Sequence, residues 1–409
     1  MRKMTTPRKK IHWLKTRWQF LRYLICRRFY DKTTAIAVTG SCGKTSTTHF
    51  LGKILSDRDS CRIGILFNCR KAIIKNLRRV NSSHRFVLQE VGVEGTGCMN
   101  ERLPLLRPRI GIVTSVGQDH YCNFRTLEAT AFEKGKLIEF LPESGVAVLN
   151  ADDPHVLAMA RRSKARVLTY GLWEEADVRG SDIRCAWPER LSLAVTYQGE
   201  SVRIETGLFG SLLASSILAA VCGALAAGID LKQCAASLHA VESFPRRMTI
   251  HATSQRAWYI CDTAKAPYWT VAKVLEPMTD AAAPRKTVVF GSFSDTSGSS
   301  SSKYRSMARE ALNVADRVFF VGNKAQHIRR LLTPETDGRL FMVESLQAAA
   351  RLLAEDVVAD ELILIKSSNM EHAERLYFSQ DRLLNCWKPT CRQSISCEHC
   401  PESGLRASS

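Results

Sequence analysis

The chain has 409 residues, 45% hydrophobic and 24% charged, with 58 Lys and Arg against 40 Asp and Glu. That composition excludes a disordered chain and is enough for two or three packed cores. No apolar run reaches the roughly 18 residues that a membrane-spanning helix needs.

The net charge of +18 is unevenly placed: Arg2, Lys3, Arg8, Lys9, Lys10, Lys15, Arg17, Arg22, Arg27 and Arg28 fall in residues 1–30, which hold no acid. Such an arm favours anionic partners. Within it, Ile11, Leu14, Trp18, Leu21 and Ile25 recur at helical spacing, so a basic amphipathic helix is expected over 8–29, in a segment 1–32. The helix packs on the body of the protein or lies on an anionic membrane surface; nucleic acid is the least favoured partner. No apolar core and cleavage site follow the basic stretch, so a cytoplasmic location is expected, with a peripheral membrane position as the variant.

Ala35–Val38 reads as a strand, Thr39–Ser46 as a Gly-containing turn and Thr47–Leu55 as a helix. Further apolar strands are expected at Phe86–Val91, Ile110–Val113 and Val146–Leu149, and a helix at Leu127–Leu141. Residues 166–206 alternate in short segments and read as a small antiparallel insertion. Ser211–Ala227 reads as a long apolar helix, and Phe244-Pro245 as a hinge. Beyond it, strand-like runs at Trp258–Cys261, Thr287–Phe290, Arg317–Val321 and Glu361–Ile365 alternate with helices, and Ser292–Ser302 reads as a loop. Strands alternating with helices imply mostly parallel sheets. The expected fold class is α/β: a P-loop parallel-sheet ATPase domain (33–243), then a smaller Rossmann-like α/β domain (244–380), then a Cys-rich tail (381–409).

The turn Thr39-Gly40-Ser41-Cys42-Gly43-Lys44-Thr45-Ser46 between strand and helix has a phosphate-binding character. Glycines let backbone N–H groups turn inward on a polyphosphate, and the helix start adds a favourable dipole. Lys44 can reach the β- and γ-phosphates, and the Thr45 hydroxyl can hold Mg²⁺. Glu90, an acid at a strand end, can bind the same ion directly or through water.

Thr-Gly-x-x-Gly-Lys-Thr-Ser-Thr resembles the nucleotide loop of the Mur ligases and folylpolyglutamate synthases. The resemblance continues through Leu88-Gln89-Glu90-Val91-Gly92, Thr114-Ser115-Val116-Gly117-Gln118-Asp119-His120, Glu133-Lys134-Gly135-Lys136 and Leu149-Asn150-Ala151-Asp152-Asp153. Lys134 falls fourteen residues after His120, as in the branch that adds D-Ala-D-Ala to the muramyl tripeptide. The resemblance implies an ATP-dependent ligase that joins a small-molecule or peptide carboxylate to an amine through an acyl phosphate, with two Mg²⁺ ions. Thr45 and Glu90 would serve the first ion. His120 and Lys134, the latter as a carbamate, would serve the second. It implies nucleotide contacts from Gly40, Ser41, Cys42, Gly43, Lys44, Thr45, Ser46 and Asn150, from Arg247 after the hinge, and from Asp262 and Lys265. Lys44, His120 and Lys134 are the expected catalytic residues, and Lys366-Ser367-Ser368-Asn369 resembles a Lys-Gly-Ser-Arg turn of the same branch.

Three departures accompany the match. Leu212-Leu213-Ala214-Ser215-Ser216 stands where the family has His-Asn-x-x-Asn near the adenine. Lys265 replaces a usual His or Asn. The roughly thirty residues before the first strand leave no room for the UDP-sugar domain of the muramyl ligases. Two alternatives therefore stand beside the enzyme: a catalytically degenerate nucleotide-binding scaffold, and a membrane-surface assembly factor using the basic helix.

Of fourteen Cys, ten are scattered and read as thiols of a reducing compartment. Cys386, Cys391, Cys397 and Cys400 cluster, and Cys397-x-x-Cys400 has knuckle spacing. Structural zinc, an iron–sulfur cluster and free thiols remain open for them.

Overall fold

The computed structural model describes residues 33–66, 68–118, 124–294, 299–393 and 395–405. The basic helix expected over 8–29 and His120 lie outside the described residues.

The first sheet has nine strands: β1 (Thr34–Thr39), β2 (Cys61–Gly64), β3 (Phe86–Glu90), β4 (Ile110–Val113), β5 (Val146–Asn150), β6 (Arg166–Gly171), β7 (Val178–Arg184), β8 (Ser192–Tyr197) and β9 (Glu200–Glu205), in the order β2-β3-β1-β4-β5-β6-β7-β8-β9. From β2 to β7 all neighbours are parallel; β7, β8 and β9 pair antiparallel. Residues 166–206 are thus no separate insertion. β6 joins the parallel sheet beside β5, and a meander extends the same sheet. Alternation in β8 made the meander readable, but it could not show which edge accepted it.

The helices packed on this sheet are α1 (Lys44–Ser56), α2 (Arg70–Leu77), α3 (Cys98–Leu106), α4 (Leu127–Phe140), α5 (Pro154–Leu157), α6 (Ala214–Ala226) and α7 (Leu231–Leu238). α6 is apolar nearly all round, and ten of its thirteen residues are buried, as expected for a helix enclosed on most sides. Its close partner is α1.

The second sheet runs β10-β11-β15-β12-β13-β14, with β10 (Thr249–Ala252) antiparallel at one edge and β11 (Trp258–Asp262), β15 (Leu362–Lys366), β12 (Lys286–Phe290), β13 (Arg317–Val321) and β14 (Leu340–Val343) parallel. The helices between them are α8 (Val271–Thr279), α9 (Ser300–Val314) and α10 (Leu346–Glu355), and α11 (Arg375–Asp381) follows. The edge strands β2, β10 and β14 are short and were not foreseen. The expected loop 292–302 ends early: the Ser299 side chain accepts the Ser302 amide and starts α9 at Ser300. A Ser-rich run is polar enough for a loop, yet serine is also a preferred helix cap.

One apolar cluster runs through both sheets, from Ile36, Leu51 and Leu218 to Ile260, Leu275 and Phe290. Trp187 bridges them: its ring meets Trp258 edge-on at 5.3 Å, and its carbonyl accepts the Ala282 amide at 2.9 Å. The two halves therefore share a core. No described helix is long and apolar enough to cross a membrane.

Candidate active site

The register of the first sheet brings the site together. Val38 pairs with Glu90, Thr39 with Val113, and Val113 with Leu149. The carboxyl ends of β1, β3, β4 and β5 thus form one rim, where open α/β sheets bind ligands.

On that rim, Gly40 has φ 150° and Gly43 has φ 83°. A Cβ on Gly40 would collide with the Thr114 hydroxyl, so the turn requires glycine there. Gly43 starts α1 with no side-chain cap and no acid in the first turn. This leaves the helix start to an outside anion. The turn is braced from β4: the Ser41 amide donates to the Ser115 carbonyl at 2.9 Å, the Cys42 amide to Ser115 Oγ at 2.9 Å, and Thr114 Oγ1 to the Cys42 carbonyl at 2.5 Å. Lys44 is buried, and its Nζ donates to the Gly40 carbonyl and, at 3.4 Å, to that of Ser41. The ammonium thus lies within the turn.

Thr45 Oγ1 donates to Glu90 Oε2 at 3.2 Å. The Leu66 amide donates to the same oxygen at 3.1 Å, and Asn68 Nδ2 to Oε1 at 3.3 Å. Glu90 is 2% exposed and makes no ion pair among the described residues. A buried carboxylate held only by neutral donors next to a hydroxyl offers the hard oxygens that Mg²⁺ takes. Ser46 is buried in the same turn, and the hydroxyls of Thr47 and Thr48 are buried without a hydrogen-bond partner among the described residues.

Lys134 lies 1% exposed on α4 beside Glu133. Burial pushes the Glu133 carboxyl up, but bonds from Lys136 and from the Met99 and Gly97 amides outweigh it and hold the group below its ordinary value. Asn150 is committed within the chain. Its Nδ2 donates to the Thr114 carbonyl at 2.9 Å, and its Oδ1 accepts the Asp152 amide at 3.0 Å. It braces the rim.

The second half contributes from the carboxyl ends of β11 and β15. Asp262 pairs with Lys366 Nζ at 2.6 Å, and the same ammonium donates to the Lys265 carbonyl at 2.7 Å. The Lys265 side chain is exposed. Arg247 keeps Nε buried without a hydrogen-bond partner among the described residues, whereas Arg246 faces Glu374 at 3.5 Å. The Trp269 ring presses on Gly117, where a Cβ would collide with it. Leu66, Asn68 and Trp269 lie outside the motifs read from the sequence, and Ser115 figures there only as part of one. Their roles follow from loop packing, which leaves no local pattern.

In the tail, Cys386, Cys391, Cys397 and Cys400 form no disulfide. Burial, then Glu374, Cys386 and Cys400, push the Cys397 thiol up to about 12. Among the described residues, the group of candidate metal-binding atoms that converges within 4.8 Å is His372, Glu374 and Cys397, rather than the four thiols. These atoms are already engaged: His372 Nδ1 meets Glu374 Oε1 at 2.9 Å, and Nε2 meets the Gln393 carbonyl at 3.1 Å. Buried Arg375 pins the tail by donating to the carbonyls of Cys386 at 3.0 Å and Lys388 at 2.8 Å.

Comparison with known proteins accords with this geometry. The Mur ligase middle domain matches residues 38–224, and the Mur ligase glutamate ligase domain matches residues 246–369. A UDP-N-acetylmuramoyl-tripeptide–D-alanyl-D-alanine ligase of Mycobacterium tuberculosis is 28% identical over 241 residues, covering 57% of this chain and 46% of the relative. The chain thus matches about half the length of that protein. The corresponding Mycobacterium leprae ligase is 24% identical over 373 residues, covering 82% and 71%. Among solved structures, MurF from Acinetobacter baumannii superposes with a TM-score of 0.80 at 20% identity, covering 88% of this chain and 79% of that one. MurF from Thermotoga maritima in complex with ADP gives 0.75 at 19% identity, covering 88% and 82%. With both of its halves matched in order and the phosphate turn facing Glu90, the chain belongs to the Mur ligase family.

Proposed function

We propose that the chain is an ATP-dependent carboxylate–amine ligase that forms an amide or peptide bond through an acyl phosphate. The observation that carries this reading is the buried Glu90 facing Thr45 at the start of α1, without an ion pair among the described residues, and Lys44 inside the adjoining turn. In this reading 33–243 is the ATP-binding half and 244–380 closes over it. Lys44, Arg247 and the start of α1 hold the phosphates, with Gly40, Ser41, Cys42, Gly43 and Ser46 shaping the cradle. Asp262 meets the ribose and Lys265 adds a phosphate contact. Thr45 and Glu90 would hold one Mg²⁺, and His120 with a carbamate on Lys134 a second. When bound, these ions neutralise charge on the phosphoryl oxygens.

The substrate carboxylate attacks the γ-phosphorus and ADP leaves. The amine then attacks the acyl carbon, phosphate leaves, and the nitrogen loses a proton. Charge gathers on oxygens throughout, so catalysis is positioning plus cationic stabilisation. Neither the comparisons nor the described residues favour the scaffold or membrane-factor alternatives.

The test is Mg²⁺-dependent phosphate release from ATP over a panel of acids and amines, with mass detection of the amide. Wild type should turn over at least one pair, and Lys44→Ala should lose about 10²–10³-fold or more. Nucleotide binding without turnover on any pair, or an unimpaired Lys44→Ala, would remove the ligase reading.

A structural zinc ion on Cys386, Cys391, Cys397 and Cys400 is a separate proposal. Its support is the knuckle spacing and the small size of the tail's apolar cluster, Phe378, Leu384, Cys397 and Leu405 with Tyr377 and Trp387 packed against it. Metal analysis of the purified protein decides it: one zinc per chain, lost in Cys397→Ser, supports it, and a metal-free folded protein ends it.

A further inference from the structure

One carboxylate in the second half touches the chain neighbours of two residues read above as nucleotide contacts. Glu374 is fully buried just before α11. Its Oε1 lies 3.5 Å from Nη1 of Arg246, the residue before Arg247. Its Oε2 accepts from Oγ1 of Thr263, the residue after Asp262, at 3.4 Å. The Arg246 carbonyl accepts the Thr263 and Ala264 amides, both at 3.2 Å. The segment carrying Arg247 and the segment following Asp262 are thus joined twice, once through backbone and once through Glu374.

The backbone at this corner is uncommon. Arg246 has φ 61° and Met248 has φ 56°, the left-handed region that residues with side chains rarely adopt. Arg247 stands between them, and its amide donates to the Phe244 carbonyl at 3.0 Å. Such a conformation persists only where its surroundings over-determine it. Met248 is buried, and its Cε packs where a Cβ on Gly210 would come within 3.0 Å. Arg246 is held by Glu374. Glycine at position 246 would be free of the strain but would leave Glu374 without that guanidinium. Between these two anchors, Arg247 keeps Nε buried with no hydrogen-bond partner among the described residues. A fixed corner that presents an unsatisfied guanidinium donor is preorganised for an acceptor from outside the chain.

Glu374 is itself held from behind. His372 Nδ1 meets its Oε1 at 2.9 Å, while His372 Nε2 meets the Gln393 carbonyl at 3.1 Å. The Cys397 amide donates to the same Oε1 at 3.5 Å. Gln393 and Cys397 both belong to the Cys-rich tail, which Arg375 also pins through the Cys386 and Lys388 carbonyls. The tail therefore backs the carboxylate that sets the corner.

We infer that Glu374 is a positioning residue for the nucleotide: backed by the tail, it fixes Arg246 and so aims Arg247 at the phosphates. The inference rests on the proposed nucleotide contact of Arg247, and the experiment separates the two.

The full chain is titrated calorimetrically with Mg²⁺-ATP well below its melting transition, and the thermal midpoint of each variant is recorded without nucleotide. Arg247→Ala should weaken binding about 10-fold or more, the equivalent of a charged hydrogen bond. Glu374→Gln and Arg246→Gly should each weaken it about 5-fold or more, and the double variant no further than the worse single, because both break one network. Arg246→Lys, which keeps a cation, should recover part of the loss. The two Arg246 variants decide the matter should Glu374→Gln not fold. A pair that only braces the fold would lower the thermal midpoint and leave the affinity of the folded protein unchanged. That result, alongside weak binding by Arg247→Ala, overturns the inference and leaves the nucleotide contact standing. Fully additive losses overturn it as well. A wild type that does not bind Mg²⁺-ATP, or an Arg247→Ala that binds normally, removes the nucleotide contact itself and the inference with it.

Discussion

Two buried glutamates sit at opposite ends of their sheets and do opposite work. Glu90 closes β3 at the carboxyl rim and, among the described residues, meets only a hydroxyl and neutral N–H donors. Glu361 precedes β15 at the amino end of the second sheet, where Arg285 and Arg317 each pair with it at 2.7 Å and Thr287 donates to it. A carboxylate with no cation of its own is ready to receive one. A carboxylate between two guanidiniums is neutralised and serves the fold. The same side chain is thus a candidate ligand at one end of a sheet and a brace at the other, and its position in the topology decides which.

The sharpest way to break this contrast is Glu90→Gln. It should lower Mg²⁺-dependent turnover by about 10²–10³-fold while leaving the thermal midpoint close to wild type. A variant that melts early yet turns over normally would reverse the two roles.

Glu361→Gln should do the converse. Removing one partner of a buried ion pair typically costs about 3–5 kcal/mol, read as a shift in the urea midpoint. Burial pushes the Glu361 carboxyl up, but Arg285, Thr287 and Arg317 outweigh burial and hold it below the ordinary value of 4.5. Its stabilisation is therefore complete above that value and is lost as pH falls through the lower folded value. Wild type and variant should differ at neutral pH and converge in acid. A difference that persists unchanged in acid would remove the ionic account.

A smaller effect should follow Gly40→Ala. The backbone strain alone is about 1–3 kcal/mol, and the collision with Thr114 adds to it, so stability and nucleotide binding should fall together. The smallest is Ser345→Ala, which removes the cap bond to the Ala348 amide. It should cost about 1 kcal/mol and leave turnover unchanged.

The phosphate turn and the strand–helix alternation were legible because their causes are local. Glycine tolerance at Gly40 and Gly43, the apolar runs of the central strands, and the order of Lys44, Glu90 and Lys134 are all written along the chain. The braces were not. Ser115 and Asn150 secure the turn through contacts 73 residues back for Ser115 Oγ and 36 residues back for Asn150. Asn150, expected to meet the nucleotide, has its amide held at both ends by its own chain. The short edge strands escaped notice because four residues carry too little periodicity to separate a strand from a loop.

The sequence by itself determined the fold class and the phosphate turn, since each depends on residue type and near-neighbour spacing. Only the tertiary structure decided that Glu90 faces Thr45, that Asp262 is paired with Lys366, and that residues 166–206 extend the first sheet. Those outcomes depend on strand register and on which sheet edge is open. A parallel sheet sets both through pairing between residues far apart in the chain, where no local pattern of side chains can record them.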